Sequence, residues 1–379
     1  MARVKLQQSQ FLTTVVVCLE LLIFLGYFFF LVYNTFFKNS IKSTRRNLIA
    51  IFLFVSIIIA LEIFSDFLLH NPAKIPAFIQ PAFANYYERY YRTIITYEKS
   101  KAKYDSTFFY MLKADTTFTF DNIEFHNIIK TNTMGLRDNN SSLVTPEVIC
   151  LGDSYTMGWG VDEDLSFPDR LEKITGMNVL NTGVASFGTA REITLLNHLD
   201  TSKLKYLIIQ YCSNDLPENQ EYIKNHYRLK ISPKKVYDEI VRQQPFNRKY
   251  FPGKTFLLTL LEFLKLPYSK IKESFKSDIK EEAKVFFSIL IHSKINFKKI
   301  IVIVTYLDSY TLISKPFINH LQKLMQESPY KEAFNNNLKL LDVSTLLSKD
   351  DYFILDSHLK ASGQEKVANS LKNLIDKMY

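Results

Sequence analysis

Cysteine is scarce in this chain, and its placement limits the chemistry that the protein can support. Only three cysteines occur among 379 residues. Cys18 lies in an apolar run, whereas Cys150 and Cys212 lie in strand-like runs and are expected to be small buried apolar side chains. None has the spacing of a metal-ligand pair, and the sequence shows no other metal-binding cluster. We therefore predict neither a metal nor a cofactor, and the cysteines leave the redox compartment open.

Internal repeats, low-complexity segments and recognisable nucleic-acid-binding modules are absent from the sequence as well. The net charge of +9 is concentrated in residues 224–299, which contain 18 basic and 7 acidic residues. One interpretation is a helical insertion with solvated lysine faces. The other is a surface attracted to anionic lipid head groups or to an anionic glycan. Because no nucleic-acid module accompanies the charge, we predict no nucleic-acid partner.

Two long apolar runs dominate the N-terminal part of the chain. Residues 11–33 are interrupted only by Glu20 and uncharged polar residues, and residues 47–69 carry Glu62 and Asp66 towards their end. At about 1.5 Å per residue, each run can cross a hydrocarbon core of about 30 Å. The first run is too long for the apolar core of a signal peptide. We predict a transmembrane hairpin over residues 1–70, with helices over about 11–33 and 47–69.

The loop between these runs sets the expected orientation. Residues 38–46 contain four basic residues and no acidic one. The positive-inside tendency places this loop in the cytoplasm and both termini on the opposite face. Arg3 and Lys5 favour the opposite orientation, which stays open. We expect a two-pass protein of the cell membrane with its globular part on the extracytoplasmic side.

Two acidic residues, Glu20 and Glu62, fall at similar depths in the predicted hairpin. Acidic residues inside a membrane are candidates for function. The alternative is that they are protonated, hydrogen-bonded at a helix contact, or extended towards the interface. The hairpin could also bind a membrane partner protein.

Residues 71–117 are predicted to form a stalk or linker. Its first part contains three prolines, which disfavour helix. Four tyrosines then follow at helical spacing, namely Tyr86, Tyr87, Tyr90 and Tyr91. This aromatic cluster fits either a membrane interface or an amphipathic helix docked on the domain.

From about residue 118 onwards, short apolar strands alternate with helices. The predicted strands are Val148–Leu151, Val179–Asn181, Tyr206–Tyr211, 300–304 and 339–342, and the predicted helices cover 168–174, 190–199, 313–325 and a final segment through Val367 and Leu374. Apolar strands in this alternation are typical of a parallel sheet covered on both sides. We predict an α/β domain over residues 118–379. A basic helical insertion over about 221–297 includes the apolar stretch 256–264 and is expected to form part of the rim over the site.

Polar blocks follow three predicted strands and precede the last helix. They are Gly152-Asp153-Ser154, Asn181-Thr182-Gly183, Ser213-Asn214-Asp215 and Asp356-Ser357-His358. In α/β folds, ligands and chemistry collect at the carboxyl ends of strands. Any one block is ordinary turn material, but four in this order are specific.

These blocks resemble the SGNH hydrolases, the GDSL-type esterase and acylhydrolase superfamily, named for a Ser, Gly, Asn and His from successive strand ends. The resemblance covers roughly residues 132–379, and Asn132, Gly135 and Arg137 are similar to a lead-in of many membrane-tethered bacterial members. It implies a three-layer α/β/α sandwich with a parallel, flavodoxin-like sheet. It also implies action on an acyl ester, either a lipid or an O-acylated glycan.

The residue types in the blocks match the needs of ester chemistry. A serine hydroxyl is a poor nucleophile at neutral pH and requires an adjacent base. His358 is the candidate base for Ser154, and Asp356 can orient its imidazole. The tetrahedral oxyanion requires donors, which we predict to be the backbone N–H groups of Ser154 and Gly183 and the side-chain amide of Asn214.

Three positions depart from the family pattern. Tyr155 replaces a leucine, and Cys212 replaces a glycine whose loss could alter the turn that presents Asn214. Asp356 lies two residues before His358, where three is common. The geometry of this pair is therefore a prediction that the spacing alone does not guarantee.

Several neighbours of the blocks have structural interpretations. The single tryptophan, Trp159, is expected in the core rather than in the wall of an acyl pocket. Asp153 and Asp215 are predicted to stabilise turns. No role for Arg137 follows from the sequence.

Three functions remain open. The preferred hypothesis is a membrane-anchored serine esterase or acylhydrolase that works through an acyl-serine intermediate. The alternative is an O-acyltransferase or deacetylase that acts on a cell-envelope glycan with the same nucleophile. A non-catalytic binding protein with this fold is the third, supported by Cys212 and by the short Asp356–His358 spacing.

Overall fold

The computed structural model describes residues 41–273, 279–310 and 314–378. The chain divides into two compact units. Of the described residues, the first unit contains 41–69 and Tyr250–Leu261, and the second contains His70–Lys249 and those from Glu262 onwards. The predicted first transmembrane helix over 11–33, with Cys18 and Glu20, lies outside the described residues.

The regular elements of the described residues are numbered here in chain order. The helices are α1 (Ile41–Leu69), α2 (Gln80–Tyr86), α3 (Ser154–Met157), α4 (Phe167–Thr175), α5 (Thr189–Leu196), α6 (Leu216–Lys224), α7 (Lys234–Arg248), α8 (Lys254–Glu273), α9 (Ile279–His292), α10 (Ser314–Leu324), α11 (Tyr330–Phe334) and α12 (Ala361–Asp376). The strands are β1 (Ala102–Asp105), β2 (Phe109–Leu112), β3 (Thr117–Asp121), β4 (His126–Lys130), β5 (Val148–Leu151), β6 (Val179–Asn181), β7 (Tyr206–Tyr211), β8 (Ile301–Tyr306) and β9 (Leu338–Leu341). Single helical turns occur at Pro72–Lys74, Tyr87–Tyr91, Ile95–Tyr97, Ser141–Leu143, Glu163–Leu165, Ser213–Asp215 and Lys349–Asp351.

The first unit contains an apolar helix. Within α1, the 22 residues Leu48–Leu69 are long and apolar enough to cross a membrane, by length and composition. Large apolar side chains on it are exposed, including Phe52 and Ile63. The described residues therefore contain one such helix where the sequence predicts two, and the second predicted run over 47–69 falls on it.

Glu62 of this helix has a structural partner in the same unit. Its carboxylate is buried and accepts the backbone N–H groups of Thr255 at 3.2 Å and Phe256 at 2.8 Å. These N–H groups belong to the first turn of α8, where no intrahelical acceptor is available. Negative charge is also favourable at a helix N-terminus. The structure thus agrees with the interpretation of Glu62 as hydrogen-bonded at a helix contact.

The second unit is built on a five-stranded parallel sheet in the order β6-β5-β7-β8-β9. The chain starts at β5, adds β6 on one side and then continues through β7, β8 and β9 on the other. The loops after β5 and β7 therefore diverge and leave a crevice at this switch point. The predicted nucleophile, Ser154, follows β5 and the predicted oxyanion donor Asn214 follows β7, so both lie at this crevice.

Both faces of the sheet are covered. Successive residues of a strand point to opposite faces. Ile149 of β5 packs in one core with Ile193 of α5 and Phe286 of α9. Cys150 packs in the other with Leu171 of α4. The predicted α/β fold with a parallel sheet is confirmed, and helices pack on both faces of this sheet.

Residues 71–117 differ from the predicted stalk. The segment belongs to the second unit, and it contains the antiparallel hairpin β1–β2. Tyr86, Tyr87 and Met111 are buried. Removing these large side chains from water is favourable, and a solvated linker would leave them exposed. The segment therefore folds with the sheet domain.

The predicted insertion over 221–297 is mostly helical where the structure describes it, with loops between the end of α6, α7, α8 and α9. Its last helix, α9, contributes Phe286 and Phe287 to the core of the sheet. In the apolar stretch over 256–264, Leu258 is buried whereas Leu264 is exposed. The insertion is therefore partly a component of the domain core, in addition to any role at its surface.

Candidate active site

Ser154 lies at the switch point, directly after the strand that the apolar run predicts. It is the first residue of α3, and Asp153 caps this helix by accepting the N–H of Tyr155 at 3.0 Å. A Cβ on Gly152 would lie 2.0 Å from the Thr156 hydroxyl oxygen, so only glycine fits between strand and helix. This tight turn carries the serine hydroxyl beyond the end of β5.

The predicted base and its orienting carboxylate lie next to Ser154. The Nε2 atom of His358 is 2.8 Å from the Ser154 hydroxyl oxygen. The Nδ1 atom of the same ring is hydrogen-bonded to Oδ1 of Asp356. The three residues therefore form a continuous Ser–His–Asp array from two parts of the chain that are about 200 residues apart.

The short spacing between Asp356 and His358 is accommodated by the residue between them. Ser357 has a φ of +62°, in the left-handed region, which turns the backbone so that its two neighbours can bond to each other. The Tyr155 hydroxyl donates to the Ser357 carbonyl at 3.1 Å. Tyr155 replaces the leucine of the family pattern. Its hydroxyl stabilises the turn at Ser357, which the short Asp356–His358 spacing requires.

The loop before Asp356 is held by a second carboxylate. Glu124 accepts three successive backbone N–H groups, those of Ile354 and Leu355 at 2.7 Å each and that of Asp356 at 2.9 Å. Burial raises the pKa of Glu124, and these three bonds oppose the rise. Glu124 therefore positions the backbone of the orienting residue.

The carboxylate of Asp356 is fully buried, and both of its oxygens are occupied. His358 bonds to Oδ1, and the Tyr87 hydroxyl donates to Oδ2 at 2.5 Å. Burial alone would raise the pKa of Asp356, but His358, Arg92 and the Tyr87 hydroxyl outweigh it and the pKa is lowered. The carboxylate is thus kept ionised, as an orienting group requires.

Two aromatic rings flank His358. Trp159 stacks on the imidazole with ring centres 5.1 Å apart, and Tyr155 lies at 4.9 Å. The guanidinium of Arg92 lies over Trp159 at 5.8 Å. Trp159 is buried, as predicted for a core residue, but it also limits the rotation of the imidazole.

The three predicted oxyanion donors differ in whether they already have a hydrogen-bond acceptor. The Ser154 N–H has no protein partner among the described residues. The Gly183 N–H donates to Oδ1 of Asn181 at 2.9 Å. The Asn214 side-chain nitrogen lies 3.4 Å from Oδ2 of Asp153, a long hydrogen bond. A ligand oxygen would therefore meet one donor directly and compete for the others.

Gly183 is required for a reason that the sequence does not reveal. A Cβ at this position would lie 2.2 Å from the backbone nitrogen of Met157. The helix that begins with Ser154 thus packs directly against the backbone of this glycine. The glycine allows the end of β6 to approach the nucleophile.

Cys212 does not disturb the turn that presents Asn214. Its φ of −133° and ψ of 150° are extended values that any residue adopts. The turn itself is held by Asp308, which accepts the Ser213 N–H at 3.0 Å and also bonds to the Ser213 hydroxyl. Asp215 bonds to the Thr189 hydroxyl at 2.7 Å, in agreement with its predicted structural role.

The structure shows a role for Arg137, which the sequence left without one: its buried side chain donates to backbone carbonyls. It donates to the carbonyls of Gly158 at 2.6 Å and Val161 at 2.7 Å, and more weakly to those of Met157 and Ile128. Burial lowers its pKa to about 10. Arg137 thus clamps the loop that carries Trp159 against His358.

The other two lead-in residues build the turn before Arg137. Asn132 accepts the N–H groups of Met134 and Leu136 with its side-chain oxygen. Gly135 has a φ of +76°, and a Cβ there would lie 2.3 Å from the Leu112 carbonyl oxygen. The lead-in is therefore a structural support for the site.

Some supporting residues had a signal in the sequence and others did not. The Asn132–Arg137 pattern was visible in the sequence without a role, and the tyrosine cluster around Tyr87 was visible with two open interpretations. Glu124 and Asp308 are single carboxylates with no local signature, and only the fold reveals them. Within the described parts of the chain, no group of three or more His, Cys, Asp or Glu side chains is placed to hold a metal ion.

Strand order and site together define a doubly wound α/β protein with a Ser–His–Asp array at its switch point.

No family model and no curated protein matches the sequence. Similar solved structures include a member of the lipolytic protein G-D-S-L family from Veillonella parvula DSM 2008, with 14% identity and a TM-score of 0.32 over 61% of this chain and 98% of that one. A lipase from a goat rumen metagenome has 17% identity and a TM-score of 0.31, over 60% and 97%. The salicylyl-acyltransferase SsfX3 from a tetracycline biosynthetic pathway has 11% identity and a TM-score of 0.33, over 62% and 55%. These values are too low to assign an activity, so the chemistry is inferred from the geometry of the site.

Proposed function

We propose that the protein is a membrane-anchored serine esterase or acylhydrolase of the SGNH type, which cleaves an ester through an acyl-serine intermediate. The observation that carries this proposal is the position of His358. One of its ring nitrogens contacts the Ser154 hydroxyl and the other contacts the Asp356 carboxylate. This is the arrangement by which a base activates a serine while a third group orients the base.

In the first half of the reaction, the Ser154 oxygen attacks the acyl carbonyl carbon and its proton passes to Nε2 of His358. The tetrahedral oxyanion accepts hydrogen bonds from the Ser154 N–H, and from Gly183 and Asn214 as these exchange their present acceptors. The bond between the acyl carbon and the alcohol oxygen then breaks, and the alcohol leaves with the proton from His358. The acyl group remains on Ser154.

In the second half, His358 removes a proton from a water molecule that attacks the acyl-serine. The second tetrahedral intermediate collapses, the proton returns to the Ser154 oxygen, and the carboxylic acid is released. The Asp356 carboxylate stabilises the imidazolium that forms in each half. Ser154 is only 8% exposed, so an acyl chain must enter a confined site to reach it.

The test is covalent labelling of the full chain in detergent or lipid with a fluorophosphonate probe, followed by mass spectrometry of the modified peptide. Ser154→Ala should abolish labelling, and His358→Ala should slow it by about 10³-fold or more, since the residues act as a unit. Ser370→Ala is a matched control because this serine lies on the exposed face of α12 and bonds only to the Lys366 carbonyl. A folded wild-type protein that is not labelled would exclude the enzyme and favour the non-catalytic alternative.

The membrane part of the proposal rests on the apolar residues Leu48–Leu69. We propose that the second unit lies on the extracytoplasmic side of the cell membrane, with the basic loop over 38–46 in the cytoplasm. A C-terminal reporter that is active only outside the cytoplasm should be active. Activity of a cytoplasm-specific reporter at the same position would reverse the topology.

Acyl transfer to or from an envelope glycan is the second candidate, and the observation behind it is a cleft in the second unit whose lining does not include the Ser154–His358–Asp356 array. The cleft has a volume of about 900 Å³ and lies beside Tyr97 and helix α7. Its lining contains five Lys or Arg side chains and three carboxylates, so a polar or anionic chain would be attracted to it. Product analysis of an acetyl ester with and without an oligosaccharide acceptor distinguishes the two reactions, because only transfer yields an acylated sugar.

A further inference from the structure

Tyr87 belongs to the predicted stalk, yet it contacts the catalytic array. It opens the helical turn Tyr87–Tyr91, which lies in the chain between α1 and β1, and its side chain is fully buried. Its hydroxyl donates to Oδ2 of Asp356 at 2.5 Å. The ring is stacked against Tyr91 with centres 6.2 Å apart, which holds the hydroxyl in place.

Of the groups that face Asp356, Tyr87 is the one whose hydrogen bond to the carboxylate oxygen Oδ2 is seen in the structure. His358 bonds to Oδ1, and Arg92 contributes a positive charge that lowers the Asp356 pKa. Glu124 contributes a negative charge but takes the backbone N–H of Asp356, not its carboxylate. Since the Asp356 side chain is shielded from water, Oδ2 has no solvent donor to replace the phenol.

The phenol is suited to a permanent donor role. Burial and the negative charge of Asp356 raise the pKa of Tyr87 far above its usual range, so the hydroxyl keeps its proton. A hydrogen bond to an ionised carboxylate stabilises the charged form and lowers the affinity of the carboxylate for protons. It also fixes the rotation of the carboxylate, and thereby the direction of its bond to the imidazole.

We propose that Tyr87 is a positioning residue of the Ser154–His358–Asp356 array, so that the chain segment following the apolar helix is a component of the active site. This inference rests on the proposed function. Tyr87 touches neither the nucleophile nor the substrate and acts through Asp356. Its loss should therefore change how the Asp356–His358 pair binds protons, and not only the rate.

The experiment measures the rate of fluorophosphonate labelling of Ser154 as a function of pH in the full-length protein. Without the phenol, the unpaired oxygen of Asp356 raises the proton affinity of the pair. We expect Tyr87→Phe to move the acid limb of the profile to higher pH by about one unit and to lower the plateau rate by about tenfold or more. Tyr237→Phe is the matched control, because it removes an equally buried hydroxyl that bonds to the Thr96 carbonyl at 3.2 Å, and it should leave the profile unchanged.

Two further measurements separate positioning from packing. In an Asp356→Asn background, Tyr87→Phe should have no additional effect, whereas a loss of packing would add to that of Asp356→Asn. Site-specific replacement of Tyr87 by a fluorinated tyrosine strengthens the donor and preserves the ring, so the acid limb should move to lower pH. This second replacement also decides the question if Tyr87→Phe does not fold.

The outcomes are distinguishable. Absence of labelling in the folded wild type would overturn the proposed function and this inference with it. Labelling of the wild type, with a Tyr87→Phe profile that matches the wild type, would overturn this inference alone. An additive effect of Tyr87→Phe in the Asp356→Asn background would likewise assign Tyr87 to packing.

Discussion

Arg137 offers a sharp test of how the site is supported, because its side chain is buried and bonds only to backbone carbonyls. The perturbation is Arg137→Met, which retains most of the side-chain volume and removes all donors. The Gly158 carbonyl then loses a bond of 2.6 Å. The Val161 carbonyl keeps the Asn127 side-chain amide at 3.1 Å as a remaining donor.

The expected magnitude follows from the bonds that are lost. A hydrogen bond from a charged group contributes about 1.5–3 kcal/mol. The Gly158 and Val161 carbonyls each lose the shorter of two bonds, since the Gly158 carbonyl keeps the Val161 N–H at 3.3 Å, and the longer bonds to Met157 and Ile128 add less. We expect Arg137→Met to lower the free energy of unfolding by about 3–5 kcal/mol, a large part of the stability of a typical domain.

The assay uses the single tryptophan of the chain. Trp159 lies in the loop that Arg137 clamps, so its fluorescence during urea denaturation reports the unfolding of this region. Arg242→Met is the control, because Arg242 is exposed and pairs with Glu239 at 2.6 Å, and it should contribute less than about 1 kcal/mol. If the two variants unfold at the same urea concentration, the reasoning is refuted.

Three other substitutions test the geometry of the site. Gly183→Ala places a Cβ 2.2 Å from the Met157 backbone nitrogen and should destabilise the protein by about 2–4 kcal/mol in the same denaturation assay, and an unchanged midpoint would contradict the close approach. Burial raises the pKa of Asp153 from 3.8 to about 6, so its stabilising contribution is complete below pH 3.8 and is lost as the pH rises through about 6. Asp153→Asn should therefore gain up to about 3 kcal/mol relative to the wild type between pH 4 and 7, and a pH-independent difference in denaturation midpoint would count against it. Asp308→Ala frees the turn that carries Asn214 and should slow labelling of Ser154 by about tenfold with little change in stability, whereas a wild-type rate would separate Asp308 from the site.

Much of the fold could be predicted because its signals are local. The strands β5, β6 and β7 are continuous apolar runs that end in glycine or polar residues, and the structure places them at Val148–Leu151, Val179–Asn181 and Tyr206–Tyr211. The last two strands differ by one or two residues from the predicted ranges. Strand ends are weakly encoded, since a residue at the end of a strand can extend or turn at similar cost.

The array itself was also within reach of the sequence. Each of Ser154, Gly183, Asn214 and His358 follows a recognisable strand or precedes a recognisable helix, and parallel strands bring their carboxyl ends to one edge. Their contacts could not be predicted in detail. The Gly183 N–H donates to Asn181, and the amide of Asn214 faces Asp153, because these near neighbours are the available acceptors in this structure.

The supporting residues lie beyond such reasoning. Tyr87 and Glu124 reach Asp356 across separations of 269 and 232 residues. Hydrogen bonds over such distances leave no periodicity or spacing in the sequence. The same is true of Ser357, whose left-handed conformation lets the short spacing work.

The sequence by itself therefore determined the α/β class, the order of the strands along the chain and the candidate Ser154, His358 and Asp356. Apolar periodicity and short turn motifs carry this information because they act over a few residues. Only the tertiary structure decided that the segment with Tyr87 belongs to the domain and that Arg137, Glu124 and Tyr87 hold the array. Those roles depend on burial, because a hydrogen bond is stronger where water is excluded. Water is excluded from these bonds only when distant parts of the chain pack together.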